Sequence, residues 1–166
     1  MRKIFTILLC AALLFSLCAC KQNQSNIQEP VNFYYCRDEI AYNTSDAIIA
    51  AEIHEGIGFD ADPDKMLRSY LEGPDSNSLV SVISTETKLV SVQIVDDTAY
   101  VTLSDDFSQL SGVKLTTACS CVTLTLNGFS GVNSVHISAE TELLDNKEEI
   151  IINTSDIILL DDEGKE

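Results

Sequence analysis

The chain has no tryptophan and only two histidines, and 10 basic side chains stand against 26 acidic ones. Each shortage excludes something. Phosphate backbones are held by clustered Lys and Arg, and no such cluster occurs, so nucleic acid is excluded as a partner. Two imidazoles leave little room for histidine acid–base or metal chemistry. Aromatic residues form 7% of the sequence, which offers few platforms for stacking sugars. No Gly-rich phosphate loop and no Gly-x-Ser-x-Gly nucleophile elbow occurs. What is present is an acidic chain of 166 residues, net charge -16, with a 45% hydrophobic share. That suffices for the core of one ordinary domain with a tail, and argues against wholesale disorder.

The N-terminus sets location. Met1-Arg2-Lys3 is a basic start, and residues 4–19 are an apolar run of about 24 Å as a helix, short of the ~30 Å hydrocarbon core. A basic start before a short apolar run reads as a signal peptide, residues 1–19. Leu17-Cys18-Ala19-Cys20 resembles the bacterial lipobox, with Cys18 as a less usual residue in it. The resemblance implies that Cys20 is diacylated and becomes the mature N-terminus, anchored on the extracytoplasmic face of the membrane. Two acyl chains hold firmly where one is marginal. The plainer alternative is a secretory signal cut at a small residue, with Cys20 a spare thiol. Residues 20–30 are polar and read as a tether. Loss of the signal removes Arg2 and Lys3 and no acid, so the mature domain is repelled from an anionic surface.

Cys36, Cys119 and Cys121 remain after the signal and the lipidated residue are set aside, an odd number that allows one intramolecular bridge. On a helix, Cys119 and Cys121 point about 200° apart, so they neither bridge one another nor share a metal easily. Buried small hydrophobes is the simpler reading, and whether Cys36 meets Cys119 or Cys121 stays open.

Along the mature chain, residues 31–36 read as a strand. Residues 47–55 are ambiguous: Ala and Glu favour helix, while Ile49, Ala51 and Ile53 alternate. The reading taken is a strand, paired back on the first. Asp62, Pro63 and Asp64 mark a helix start, Met66, Leu67, Tyr70 and Leu71 share one face, and Gly73-Pro74 stops it. Residues 88–95 and 99–103 form a second hairpin around Asp96-Asp97. Residues 110–126 are rich in Thr and Val, yet Leu115, Cys119, Val122 and Leu126 step by four, three and four. The period outranks the propensity and predicts a helix. Val135-His136-Ile137 is the last core strand. Residues 141–166 are an acidic extension in which Ile150-Ile151-Ile152 and Ile157-Ile158-Leu159-Leu160 suggest a small attached hairpin.

Leu71-Glu72-Gly73-Pro74, Leu79-Val80-Ser81-Val82-Ile83, Thr87-Lys88-Leu89 and Val101-Thr102-Leu103-Ser104-Asp105-Asp106-Phe107 together resemble the GerMN domain of sporulation and spore-germination proteins. Thr125-Leu126 and Gly131-Val132-Asn133-Ser134-Val135 resemble its closing helix and strand. Ser84, Glu86 and Thr102 depart from the usual Pro, Gly and Asp, and Asp96-Asp97 lacks the usual hairpin Gly. The resemblance covers residues 31–140. It implies an α+β domain, a small mixed sheet of two hairpins and a final strand packed with two helices, similar to ring-building domains. It implies no enzymatic activity and no cofactor.

Candidate chemistry is sparse. Asp60, Asp62 and Asp64 open like an EF-hand loop, but Lys65 and Leu71 stand where Gly and Glu are needed. Glu52 and His54 share a strand face beside Glu55, without an evident third metal ligand. Ser104 with Asp105 and Asp106 reads as a strand end and helix N-cap, and His136 points outward from its sheet. No catalytic, cofactor or metal residue is assigned, and Cys20 is the one modification site. The expected role is a non-enzymatic interaction module, binding envelope or sporulation proteins or further copies of itself. The alternative is a binder of cell-wall or other envelope ligands.

Overall fold

The computed structural model describes residues 30–38, 48–55, 59 and 61–157. Cys20, the signal, the tether up to residue 29, Asp60 and residues 158–166 lie outside the described residues. Strand β1 (Val31–Arg37) pairs antiparallel with β2 (Ile49–His54), from Val31 opposite His54 to Cys36 opposite Ile49. Residues 49–54 are therefore the strand that the alternation favoured. Strand β3 (Leu79–Val80) adds to the far edge of β1 at Cys36 and Arg37, completing an antiparallel sheet ordered β2-β1-β3.

Helix α1 (Pro63–Leu71) starts and stops as its residues dictate. Asp62 Oδ1 accepts the Asp64 amide at 3.0 Å, Pro63 opens the first turn, and Met66, Leu67, Tyr70 and Leu71 are buried. Gly73 follows with φ of 96°, a conformation that a side chain would strain. Strands β4 (Leu89–Val95) and β5 (Thr98–Leu103) are the second hairpin. A 3-10 turn over Asp105–Gln109 leads into helix α2 (Gly112–Ser130), and β6 (Ser134–Ala139) then returns parallel to β5. A parallel return needs a long crossover, and α2 is that crossover. Its Thr and Ser hydroxyls fit the helix by bonding carbonyls one turn back: Thr116 to Gly112 at 3.2 Å, Thr117 to Val113 at 2.8 Å, Ser120 to Thr116 at 2.9 Å. Leu115, Cys119, Val122 and Leu126 are all buried, as the period requires.

Two features differ from the sequence reading. The α+β class holds, with two helices against sheets, but the strands divide between two sheets: the first hairpin belongs to the three-stranded sheet, the second to a four-stranded mixed sheet ordered β4-β5-β6-β7. Strand β7 (Ile150–Asn153) pairs with β6, from Ser134 opposite Asn153 to Ile137 opposite Ile150, an attachment the sequence reading did not name, while residues 158–160 of the expected hairpin lie outside the described residues. Adding to an existing strand edge supplies the support that an isolated two-stranded ribbon lacks. The segment before β7 is tied down by acids. Asp105 accepts the Thr141 hydroxyl at 2.6 Å and the amides of Thr141 and Glu142 at 2.8 and 3.1 Å. Leu144 is fully buried, and Asp145 Oδ2 accepts the Gly112 amide at 2.9 Å, capping α2 from a distant turn.

One core joins both sheets. Ala99, Val101, Leu103, Val135, Ile137 and Ala139 face inward from β5 and β6, and Phe33 and Tyr35 of β1 meet Tyr70 of α1, with Met66 and Leu67 buried in the same core. The Tyr35 and Tyr70 rings stack at 4.9 Å, and burial raises both phenols well above their ordinary range. No helix of the described residues is long and apolar enough to cross a membrane.

Candidate functional site

The four-stranded sheet packs its inner face on the core and leaves its outer face to solvent. Alternation along β5 and β6 sends Tyr100, Thr102, His136 and Ser138 outward while Val101 and Ile137 go inward. Register then lines up Gln93, Tyr100, His136 and Ile151 in one row across all four strands. Tyr100 is 45% exposed and Ile151 50%, an apolar–aromatic strip on an acidic protein. The Tyr100 and His136 rings sit 4.9 Å apart, and His136 Nδ1 lies 3.1 Å from Glu149 Oε2. His136 thus points outward as its alternation predicts. The row presents aromatic, imidazole and aliphatic surface, with no nucleophile beside the imidazole among the contacts described.

Glu52 and His54 do share a face, and the fold brings Asp75 to them from the loop between α1 and β3, so the three offer ligand atoms within 4.8 Å of one another. The sequence reading missed Asp75 because only the return of the loop against β2 places it there, and no local pattern signals that. Glu55 is exposed and outside the group. The Glu52 carboxylate already has work. Oε1 accepts the Ser76 amide at 2.8 Å, and Oε2 accepts the Asp75 amide at 3.1 Å and lies 2.9 Å from His54 Nε2. Burial pushes this carboxyl up, but the two amides and His54 outweigh it and hold it below the usual carboxylate range. The His54 ring packs on Phe33 at 4.2 Å between centroids. A cation would compete with main-chain amides for Glu52, and loop anchoring accounts for the arrangement.

The remaining candidates are structural. Asp62 caps α1, and Asp64 pairs with Arg68 at 2.6 Å. Ser104 is the N-cap residue of the following 3-10 turn, as expected, but its side chain makes no cap bond there. Its Oγ instead accepts the Lys88 amide at 2.9 Å and donates to Asp106 Oδ2 at 3.1 Å, joining the start of β4 to the end of β5. A cleft of about 370 Å³ is lined by Arg68, Leu71, Glu72, Thr85, Thr87, Lys88 and Leu89. Its two cations are engaged: Arg68 by Asp64 and the Leu89 carbonyl, Lys88 by the Thr85 carbonyl.

Comparison with known proteins agrees with this architecture. The first GerMN domain of the Bacillus subtilis sporulation protein GerM superposes with a TM-score of 0.56 at 19% identity, over 75% of this chain and 95% of that one. The tandem GerMN domains of the same protein give 0.55 at 16% identity, over 79% of this chain and 47% of that longer one. At these identities the likeness is one of fold. No curated protein sequence matches the chain. The sequence profile of the Germane family, described as sporulation and spore germination, matches residues 33–145. Most of the folded region falls within that match, and the chain belongs to the Germane family.

Proposed function

We propose that this protein is a lipid-anchored extracytoplasmic interaction domain, non-enzymatic, working within a cell-envelope or sporulation assembly. The observation that carries the reading is the four-stranded sheet with one face buried and the other open, crossed by the Gln93–Tyr100–His136–Ile151 row. A strip with aromatic and aliphatic members on a protein of net charge -16 suits contact with another protein better than with an anionic polymer. Acylated Cys20 would fix the domain at the membrane, with residues 20–30 as the tether and the net negative charge holding the domain away from anionic lipid. The family match supports the sporulation setting.

The test has two parts. Cys20→Ala should move the protein from the membrane fraction to the soluble extracytoplasmic fraction, and undiminished membrane retention would sink the anchor. Crosslinking in intact cells should join the tagged protein to recurrent envelope or sporulation proteins, or to itself. Retention on isolated cell wall with no protein crosslinks would replace the interaction reading with the wall-ligand one.

A further inference from the structure

Among the described residues β1 has no strand partner at Tyr34 on the side away from β2, and α2 lies along that edge: the Tyr34 amide donates to Thr125 Oγ1 at 3.0 Å. From that fixed point, two residues of strand advance about 6.6 Å and four of helix about 6 Å, so Cys36 and Cys121 come level. The rings of Phe33 and Phe129 both pack on Phe59, at 5.9 and 6.3 Å, so α2 runs back along β1 in this sense, and both cysteines are buried free thiols. Cys119, two residues earlier on α2, points to a different side of the helix and is fully buried.

We propose that Cys36 and Cys121 are a disulfide site, closed by exchange with a disulfide donor, that staples β1 to α2 and leaves Cys119 a thiol. The roles follow from their surroundings. The neighbouring Cys121 thiol lowers the Cys36 thiol against an opposing push from burial, which favours Cys36 as the attacking sulfur. The neighbouring Cys36, together with burial, pushes Cys121 up, and burial takes Cys119 to about 12. Cys36 also keeps 8% of its surface, against 3% for Cys121 and none for Cys119. Cys36 sulfur attacks the donor disulfide, forming a mixed disulfide and releasing one donor thiolate. Cys121 then loses its proton and attacks the Cys36 sulfur, expelling the second donor thiolate. The protein gives up two electrons and two protons, and the donor disulfide is reduced to two thiols. The site rests on geometry, while its oxidation in the cell rests on the export proposed above.

The full chain, extracted from membranes and reduced, should be equilibrated with oxidised glutathione, acid-quenched, alkylated and mapped by mass spectrometry. The expected product is one peptide pair linking Cys36 to Cys121, with Cys119 alkylated, and the same product from a Cys119→Ser chain. Three alkylated cysteines, or a link to Cys119, would overturn the site. On the reduced protein at pH 7, Cys36 should be alkylated more than about tenfold faster than Cys119. Equal rates would remove Cys36 as the attacking group. Trapping in intact cells separates the two layers: the link formed with glutathione but absent from cells keeps the site and counts against the export reading.

Discussion

The two sheets solve the problem of exposed strand surface in opposite ways. In the three-stranded sheet, β1 has no strand partner at Tyr34 on one edge among the described residues, and helices close it: Thr125 takes the Tyr34 amide, the Tyr70 hydroxyl donates to the Tyr34 carbonyl at 3.1 Å, and the Tyr35 hydroxyl donates to the Tyr70 carbonyl at 2.8 Å. An edge satisfied by side chains cannot recruit a further strand there. In the four-stranded sheet the inner side chains of β5 and β6 are buried and those of β4 and β7, Leu89 apart, are half-buried, while the outer row stays in solvent without such closure. One region has its edge closed, and the other leaves a face open.

The comparison breaks most sharply in the core of the closed region. Phe33 is fully buried, touching the rings of Tyr35, His54, Phe59 and Tyr70. Phe33→Ala should lower unfolding free energy by about 3–5 kcal/mol in urea titrations, through lost burial and a cavity. Loss of under about 1 kcal/mol would mean that the aromatic cluster does not hold β1 to α1.

Next comes the edge itself. Thr125→Val keeps the shape of the side chain and removes only the hydroxyl, leaving the Tyr34 amide unpaired against α2. The expected cost is about 1–3 kcal/mol, read in the same titration. Hydrogen exchange at the Tyr34 amide should rise alongside it. An unchanged exchange rate would show that another group closes the edge.

Much of this was legible in the sequence, because the signals were local. Asp62, Pro63 and Gly73 bound α1 as their chemistry demands, and the step pattern from Leu115 to Leu126 correctly overrode Thr and Val propensity in α2. The non-local placements were not legible. Nothing near Ile150 says that β6 has a free edge, and nothing near Asp75 says that it returns to Glu52. The acidic extension shows the same limit. Nothing local in it says that Asp145 reaches the Gly112 amide or that Thr141 and Glu142 meet Asp105.

Those ties make a smaller, pH-dependent effect. The Thr141 hydroxyl and amide, with the Glu142 amide, lower the Asp105 pKa, as loop amides and His54 lower that of Glu52. A depressed carboxyl contributes stability that is fully present above its unfolded pKa and is lost as pH falls through the folded one. Stability should therefore decline below the usual carboxylate range. Asp105→Asn and Glu52→Gln should each flatten that acid limb while leaving stability less altered once both carboxyls are protonated. An acid limb as steep in both variants as in the parent would assign it to other carboxylates.

The smallest expected stability effect falls on the open sheet, and it is there that function is tested. Tyr100 packs on His136 but gives nearly half its surface to solvent, so Tyr100→Ala should change unfolding free energy by roughly 0.5 kcal/mol or less. If the Gln93–Tyr100–His136–Ile151 row is the contact surface, the same substitution should remove most of the protein crosslinks formed in cells while the domain stays folded. Removing an aromatic from the centre of a contact patch commonly costs binding far more than it costs the fold. Crosslinks that persist in a folded Tyr100→Ala, Ile151→Ala chain would move the contact surface off this sheet. Such a result would leave the two sheets different in construction but equal in being unused for docking at this row.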